Sequence, residues 1–356
     1  MTGILVINCG SSSLKYAMFE GDRATTRGSI DGIGGGRAAD HAAAVGQMFD
    51  RLDAAPRAIG HRLVHGGRDR FAPVLLDAAL EAELAAAIPF APLHLPVELA
   101  AIAAVRARYG TLPQVACFDT AFHQPMPEVA RRFALPTALH DAGLRRYGFH
   151  GLSYEGVAAS LELPRRAVFA HLGSGASMVA VRDGRAIDTT MAFTPAAGLV
   201  MGTRTGDVDP GVLIYLLDHG YDARGLEQLV HHDAGLRAIS ETTADMQQLL
   251  ARRADDPRAA LAVDVFCYRA KLWLGALAAA LGGLDALVFT GGIGAHAPAV
   301  RAQICDDLDH LGVVIDGAAN ARHGPRIDAG ACAIHVIAAD EERVIAGHTR
   351  RVVDAP

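Results

Sequence analysis

Four residues stand out for the chemistry that their surroundings permit: Arg62, Asp119, His150 and Arg204. Arg62 lies in His61-Arg-Leu-Val-His-Gly-Gly67, a run feeding a Gly-Gly turn, where a strand end would meet a cleft. A guanidinium there can grip a carboxylate or phosphate through two parallel hydrogen bonds. Arg204 is embedded in Gly202-Thr-Arg-Thr-Gly-Asp207, a stretch too polar and glycine-rich for a core. Asp119 in Val115-Ala-Cys-Phe-Asp-Thr-Ala-Phe-His123 follows an apolar strand, the customary place of a working carboxylate in an α/β sheet. It can ligate Mg²⁺ or orient a substrate oxygen, though capping the next helix is its ordinary role. His150 in Arg146-Tyr-Gly-Phe-His-Gly-Leu-Ser153 can present a hydrogen-bonding edge to developing charge; a lone histidine is more often structural. Two cationic forks, a carboxylate and glycine loops are the parts that phosphoryl transfer requires, since it rests on positioning and charge neutralisation.

Three further motifs suit anions. Asn8-Cys-Gly-Ser-Ser-Ser-Leu-Lys15 places Ser11, Ser13 and Lys15 near a strand end as a phosphate cradle, without the pattern of a P-loop. Phe289-Thr-Gly-Gly-Ile-Gly294 follows an apolar strand and permits close backbone approach to a nucleotide. In Asp340-Glu-Glu342, at the start of the final helix, Glu341 could reach a metal-bound water, although acidic residues favour helix N-termini anyway. The His61/His65 spacing shares one face only on a helix, so metal binding by that pair is not expected.

The elements that must position these residues alternate between strand and helix. Strands are expected at 4–8, 14–19, 59–64, 114–118, 167–172, 178–182, 286–290 and 333–337. Helices are expected at 78–88, 96–108, 154–161, 210–218, 244–253, 258–281 and 297–311, and 28–39 reads as a surface loop. The segment 6–21 resembles 169–184: apolar strand, Gly/Ser turn, apolar strand, acidic-Gly turn. That repeat points to a duplicated α/β domain, although two ordinary hairpins would read alike.

At 356 residues the chain exceeds one ordinary core, so two domains are expected. A composition of 51% hydrophobic and 20% charged residues is that of a globular protein, and a formal charge of −6 argues against nucleic acid or an acidic membrane as partner. The longest uncharged apolar run, 272–284, is too short to span a membrane, and no targeting segment is visible. Five scattered cysteines without a CxxC point to a reducing, cytoplasmic setting.

Nine motifs occur in the order found in the acetate kinase family: NCGSSSLKY, HRLVHGG, APLHLP, FDTAFH, RRYGFHG, HLGSGAS, FTPAAGLVMGTRTGDVDP, FTGGIG and DEE. The chain resembles that family over almost its whole length. The resemblance implies an α/β fold of two duplicated actin-like domains, of the sugar-kinase/Hsp70 type, around a central cleft. Residues 1–122 with 343–356 would form the acyl-kinase domain and 123–342 the nucleotide-binding domain, usually in a homodimer. It further implies reversible transfer between ATP and acetate, giving acetyl phosphate and ADP, with Mg²⁺ or alternatively Mn²⁺.

By the same resemblance, Arg62 and Arg204 would hold the acyl carboxylate and the moving phosphoryl group. Asp119 would orient the reacting groups, His150 would stabilise the in-line transition state, and His94 and His171 would line the phosphate path. Asn8 and Glu341 would fix magnesium through water. Val64, Leu93, Phe149 and Pro195 match the pocket for the methyl group; one methylene alters binding there by only about 1–3 kcal/mol, so propionate remains an alternative. Gly173, Ser174, Gly175, Asp245, Met246, Gln247, Gly291, Gly292, Ile293 and Gly294 fall on nucleotide and phosphate motifs.

Four motifs depart from the family. HLGNGAS carries Ser174, GIGEN reads Gly292-Ile-Gly-Ala-His296, Asp-Phe-Arg reads Asp245-Met-Gln247, and APLHNP carries Leu95. The chain is also short between Asp22 and His61. Three of the changes fall on the nucleotide side, so loosened donor selectivity is expected.

Overall fold

The computed structural model describes residues 3–10, 13–36 and 38–355. It divides into two compact units: Met1–Gln124, His150–Gly156 and Asp340–Pro356 in the first, Pro125–Phe149 and Val157–Ala339 in the second.

The first unit is built on a six-stranded sheet. Its strands are β1 (Ile4–Cys9), β2 (Ser13–Glu20), β3 (Arg23–Asp31), β4 (Ala58–Leu63), β5 (Val74–Leu75) and β6 (Gln114–Phe118), in the order β3-β2-β1-β4-β6-β5. β1, β2 and β3 run antiparallel, while β1, β4 and β6 run parallel. The period-two alternation of β1 explains its covering. Leu5 and Ile7 pack with residues of helices His41–Asp50 and Leu95–Tyr109. Ile4 and Val6 pack on the opposite face with Ile345 and Ala346 of the helix Glu341–Val353. A Cβ on Gly60 in β4 would collide with Thr349 and Ile345 of that helix, so the close packing requires glycine.

The second unit has strands β7 (Arg166–Leu172), β8 (Ala176–Arg182), β9 (Arg185–Thr189), β10 (Ala286–Thr290) and β11 (Ala333–Val336), in the order β11-β10-β7-β8-β9. Again three strands form an antiparallel meander, and the first of them continues into parallel partners. The 25-residue helix Pro257–Leu281 packs against β7, β8 and β9. Asp256 caps its start, and Gly282 ends it in the left-handed region at φ 71°. The repeated strand order is the duplication that the two hairpin motifs point to, and this mixed α/β arrangement is the actin-like one.

Several elements differ from those expected. Residues 28–31 belong to β3, and β5 and β9 are also unforeseen. β3 is an edge strand with only one buried residue, Ile30, so it lacks an apolar alternation to read. The helices His41–Asp50 and Ala223–His232 were likewise not expected. The single helix expected over 297–311 is split into Pro298–Cys305 and a 3₁₀ turn at Asp309–Leu311, because Asp306 is extended and Asp307 left-handed. Among the described residues no helix is long and apolar enough to cross a membrane.

Candidate active site

In the first unit the functional side chains gather at the ends of three adjacent strands. β4 and β6 are parallel neighbours, and the Asp119 amide donates to Leu63 O at 2.9 Å, extending the ladder by one step. Arg62 therefore meets Asp119. Its Nε donates to Oδ1 at 3.2 Å, one terminal nitrogen bonds Oδ2, and the other donates to Asn8 Oδ1 at 3.2 Å. Glu341, the first residue of its helix, brings Oε2 to 3.7 Å from Arg62 Nε and 3.5 Å from Asn8 Nδ2. Burial works against the Arg62 charge, but Asp119 and Glu341 outweigh it and raise the guanidinium pKa. Burial raises the Glu341 carboxyl pKa, with Arg62 opposing. Lys15 faces Asn8 across β1–β2 and adds a weaker positive influence on Glu341. The Ser13 carbonyl accepts from the Gly10 amide at 2.8 Å; Ser11 lies outside the described residues.

His150 has φ 59°, in the left-handed region that a β-carbon disfavours. The following Gly151 amide donates to Asp119 O at 2.9 Å, and a Cβ on Gly151 would strike that carbonyl. The turn carrying His150 is thus docked on the turn carrying Asp119. Val64 is 3% exposed, and Leu93 and His94 immediately precede the helix Leu95–Tyr109. His61 and His65 are used structurally. His61 Nε2 bonds the Gln114 side chain at 2.8 Å and burial lowers its pKa to about 4, while His65 Nδ1 accepts from Gly67 N.

One carboxyl of this unit was not legible in the sequence. Both oxygens of Glu98 accept from the Val64 amide, at 3.2 and 3.1 Å, and the residue is 2% exposed. Burial pushes its pKa up to about 8, with Arg62 opposing. In sequence it looks like any acidic residue in a helix's first turn.

In the second unit, Arg204 donates to Pro195 O at 3.1 Å and lies 3.6 Å from Met201 Sδ. Its loop is fixed by a segment that no motif announced. Thr205 N donates to Val230 O, Thr203 Oγ1 to His231 O, Leu236 N to Met201 O and Arg237 N to Gly202 O, at 2.9–3.2 Å. Gly235 has φ 65°, and a Cβ there would press on Met201 O and on the Arg204 backbone. Gly202 N donates to Ser174 O at 2.9 Å, joining the Arg204 loop to the turn between β7 and β8. Phe149 and Pro195 are buried in this unit.

A cavity of about 710 Å³ opens in the same unit, lined by Gly173, Ser174, Ala244, Asp245, Met246, Gln247, Leu250, Gly292, Ile293, His296 and Ala297. Seven of the residues expected at a nucleotide come together here from three chain regions. Asp245 Oδ1 is engaged as the N-cap of helix Met246–Arg252, while Met246 is 4% exposed. Gly291, at φ 75°, passes close to Leu172 O, and His171 pairs with Thr290 between β7 and β10. The Gly175 carbonyl accepts from Gly173 N at 3.0 Å. Fully buried Arg301 donates to Gly294 O, Ala295 O and Asn320, holding the end of the Gly291–His296 helix.

The chain as a whole is similar to known enzymes in sequence and in fold. The Acetokinase family profile matches residues 34–347. The acetate kinase of Nitrobacter hamburgensis is 45% identical, covering 98% of this chain and 96% of its own. The crystal structure of Porphyromonas gingivalis acetate kinase superimposes with TM-score 0.90 at 34% identity, covering 99% of this chain and 100% of its own. A propionate kinase from Francisella tularensis does so with TM-score 0.92 at 34% identity and the same coverage. This chain belongs to the acetate kinase family.

Proposed function

We propose that this chain transfers a phosphoryl group reversibly between ATP and acetate, giving acetyl phosphate and ADP. The observation that carries the reading is the Arg62 guanidinium, fixed by Asp119 and Asn8 at the joined ends of β4, β6 and β1. An acetate oxygen attacks the γ-phosphorus in line, forming the new P–O bond as the bond to ADP breaks. The nucleophile is already ionised at neutral pH, so no base is needed. Arg62 holds the carboxylate, Arg204 takes charge on the phosphoryl oxygens, and His150 donates to them as the negative charge spreads. The first unit serves the acyl group and the second the nucleotide, whose base and ribose occupy the cavity beside Met246 and whose phosphates lie along Gly173, Ser174 and Gly292. On the first unit, Val64 and Leu93 line the acyl group.

Asn8 and Glu341 fit a magnesium ion held through water. Both bear oxygen donors, and the two contacts of Glu341 Oε2, at 3.5 and 3.7 Å, are long. Among the described residues no three His, Cys, Asp or Glu side chains are grouped to bind a metal. The chemistry such an ion supplies is neutralisation of phosphate oxygens.

The test is hydroxylamine trapping of acyl phosphate, with acetate and propionate as acceptors and ATP as donor. Acetyl hydroxamate formed in proportion to ADP is the expected result; none with either acid would remove the assignment. Propionate is the second reading, favoured by the equal likeness to the propionate kinase fold.

The functional form is a homodimer. Helix Pro210–Asp218 is apolar along most of its length, yet buries none of its side chains in the chain; Val212, Ile214, Tyr215 and Leu217 are all exposed. Leu261, Tyr268 and Leu272 add exposed apolar surface on the long helix of the same unit. A second copy of this face is the partner that covers it. Light scattering that returned a monomer mass would refute this.

A further inference from the structure

Glu98 has no part in the reaction as described above, yet it is the most completely buried carboxyl after Asp119. Helix Leu95–Tyr109 carries it beneath the end of β4, where both its oxygens take the amide of Val64, two residues beyond Arg62. We propose that Glu98 is a positioning residue for the carboxylate substrate, fixing the Val64 amide at the end of β4 and thereby the place where Arg62 and the acyl pocket stand. This rests on the acetate kinase reading and adds a residue and a pH dependence to it.

The charge of Glu98 matters as much as its hydrogen bonds. The groups around it are Arg62 on β4, Asp119 beyond β6 and Cys9 at the end of β1, whose thiol burial pushes up to about 12 and so keeps neutral. Glu81 and Glu83 on helix Ala78–Ala86 are taken by Arg106 and Arg70, and Asp50 on helix His41–Asp50 by Arg108. Arg62 already serves Asp119 and faces Glu341. An ionised Glu98 would be a further negative charge in a poorly solvated wall, drawing on the guanidinium that must receive the substrate carboxylate. Burial holds the Glu98 carboxyl at about 8, so it is mainly neutral at pH 7 and the guanidinium is left to the substrate. As an acid it still accepts from Val64 through one oxygen.

The experiment compares KM for acetate from pH 6.5 to 9.5 in the wild type, Glu98→Gln and Glu98→Ala, with acyl phosphate trapped as hydroxamate. Wild-type KM should rise about fivefold between pH 8 and pH 9, as expected when only the neutral form binds. The glutamine variant, a fixed neutral mimic, should lose that rise. The alanine variant, lacking the acceptor, should show about tenfold higher KM at pH 7 with a smaller change in kcat, and glutamine should recover most of that loss. An alkaline rise that survives in Glu98→Gln overturns the proposal. So does failure of that variant to fold at pH 7, because an amide reproduces the neutral acid's hydrogen bonds. If the wild type forms no hydroxamate at any pH, the reaction assignment has failed instead; the pH dependence of unfolding in wild type and Glu98→Gln then still tests whether Glu98 is held neutral.

Discussion

The Arg62 guanidinium and the Asp119 carboxylate meet at two points across the parallel strands β4 and β6, with Nε 3.2 Å from Oδ1 and a terminal nitrogen on Oδ2. Their side chains are 15% and 1% exposed. The pair is therefore set where β6 enters its turn, with the Asp119 amide still bonded to Leu63 O of β4, and its orientation is in place before any substrate arrives.

Removing the carboxylate should cost both activity and fold. Asp119→Ala removes the two-point partner of a largely buried guanidinium and leaves it Asn8 and the more distant Glu341, so the loss should stay below the about 3–5 kcal/mol of a buried charge left unpaired. Chemical denaturation should register that loss, and kcat/KM should fall by about 10³ or more. Asp119→Asn should unfold less easily than the alanine variant while remaining as inactive.

Arg204→Ala should behave differently. Its guanidinium is partly exposed on a loop, donates to Pro195 O and lies near Met201 Sδ. Turnover should fall by roughly 10³ or more while circular dichroism stays that of the wild type, since the residue serves developing charge. Near-normal turnover would dismiss Arg204 from the reaction.

Gly235→Ala tests whether the second segment governs the Arg204 loop. Alanine must adopt φ 65° and push against Met201 O and the Arg204 backbone. A drop in kcat of about tenfold or more should accompany a stability loss of about 1–3 kcal/mol. An unchanged kcat would mean that the loop does not depend on this support.

Donor choice should be loose. Met246 offers a polarizable apolar surface, and Ala295 and Ser174 are small near the cavity. GTP should support kcat/KM within about tenfold of ATP, a difference near 1.4 kcal/mol. Steady-state rates with ATP, GTP and pyrophosphate decide this, and strict ATP preference would count against it.

Stability should respond to pH in a direction fixed by Glu98. Its unfolded value is near 4.5 and its folded value is about 8. Between those values the unfolded chain releases a proton that the folded chain still binds, so the contribution of Glu98 to stability falls as pH rises through that window. Glu98→Gln should gain in Tm over the wild type from pH 5 to pH 8. A gap that stays constant across that range would show that Glu98 is ionised in the fold. His61 acts oppositely: held at about 4, it weakens the fold as pH drops below about 6.5.

The sequence was most informative where chemistry and backbone coincide. β1, β6 and β10 are short apolar runs ending in polar or glycine turns, and their extents were read to within a residue. Arg62 and Asp119 could be singled out because each stands near a strand end, whereas Asn8 was named only through the family resemblance. Glu98 could not, since only tertiary packing places its carboxyl under Val64. The 230–237 segment was also hidden, because its support for Arg204 runs largely through backbone groups and one positive-φ glycine. The edge strands β3 and β9 carry too little apolar alternation to distinguish them from loops.

The helix Glu341–Val353, which covers Ile4, Val6, Ala17 and Phe19, leaves the ribosome after all of the second unit. During synthesis those N-terminal side chains must wait, uncovered on one side, while some three hundred residues are added. The second unit can consequently mature first, and the nascent N-terminal sheet is the stretch most in need of a chaperone's shelter.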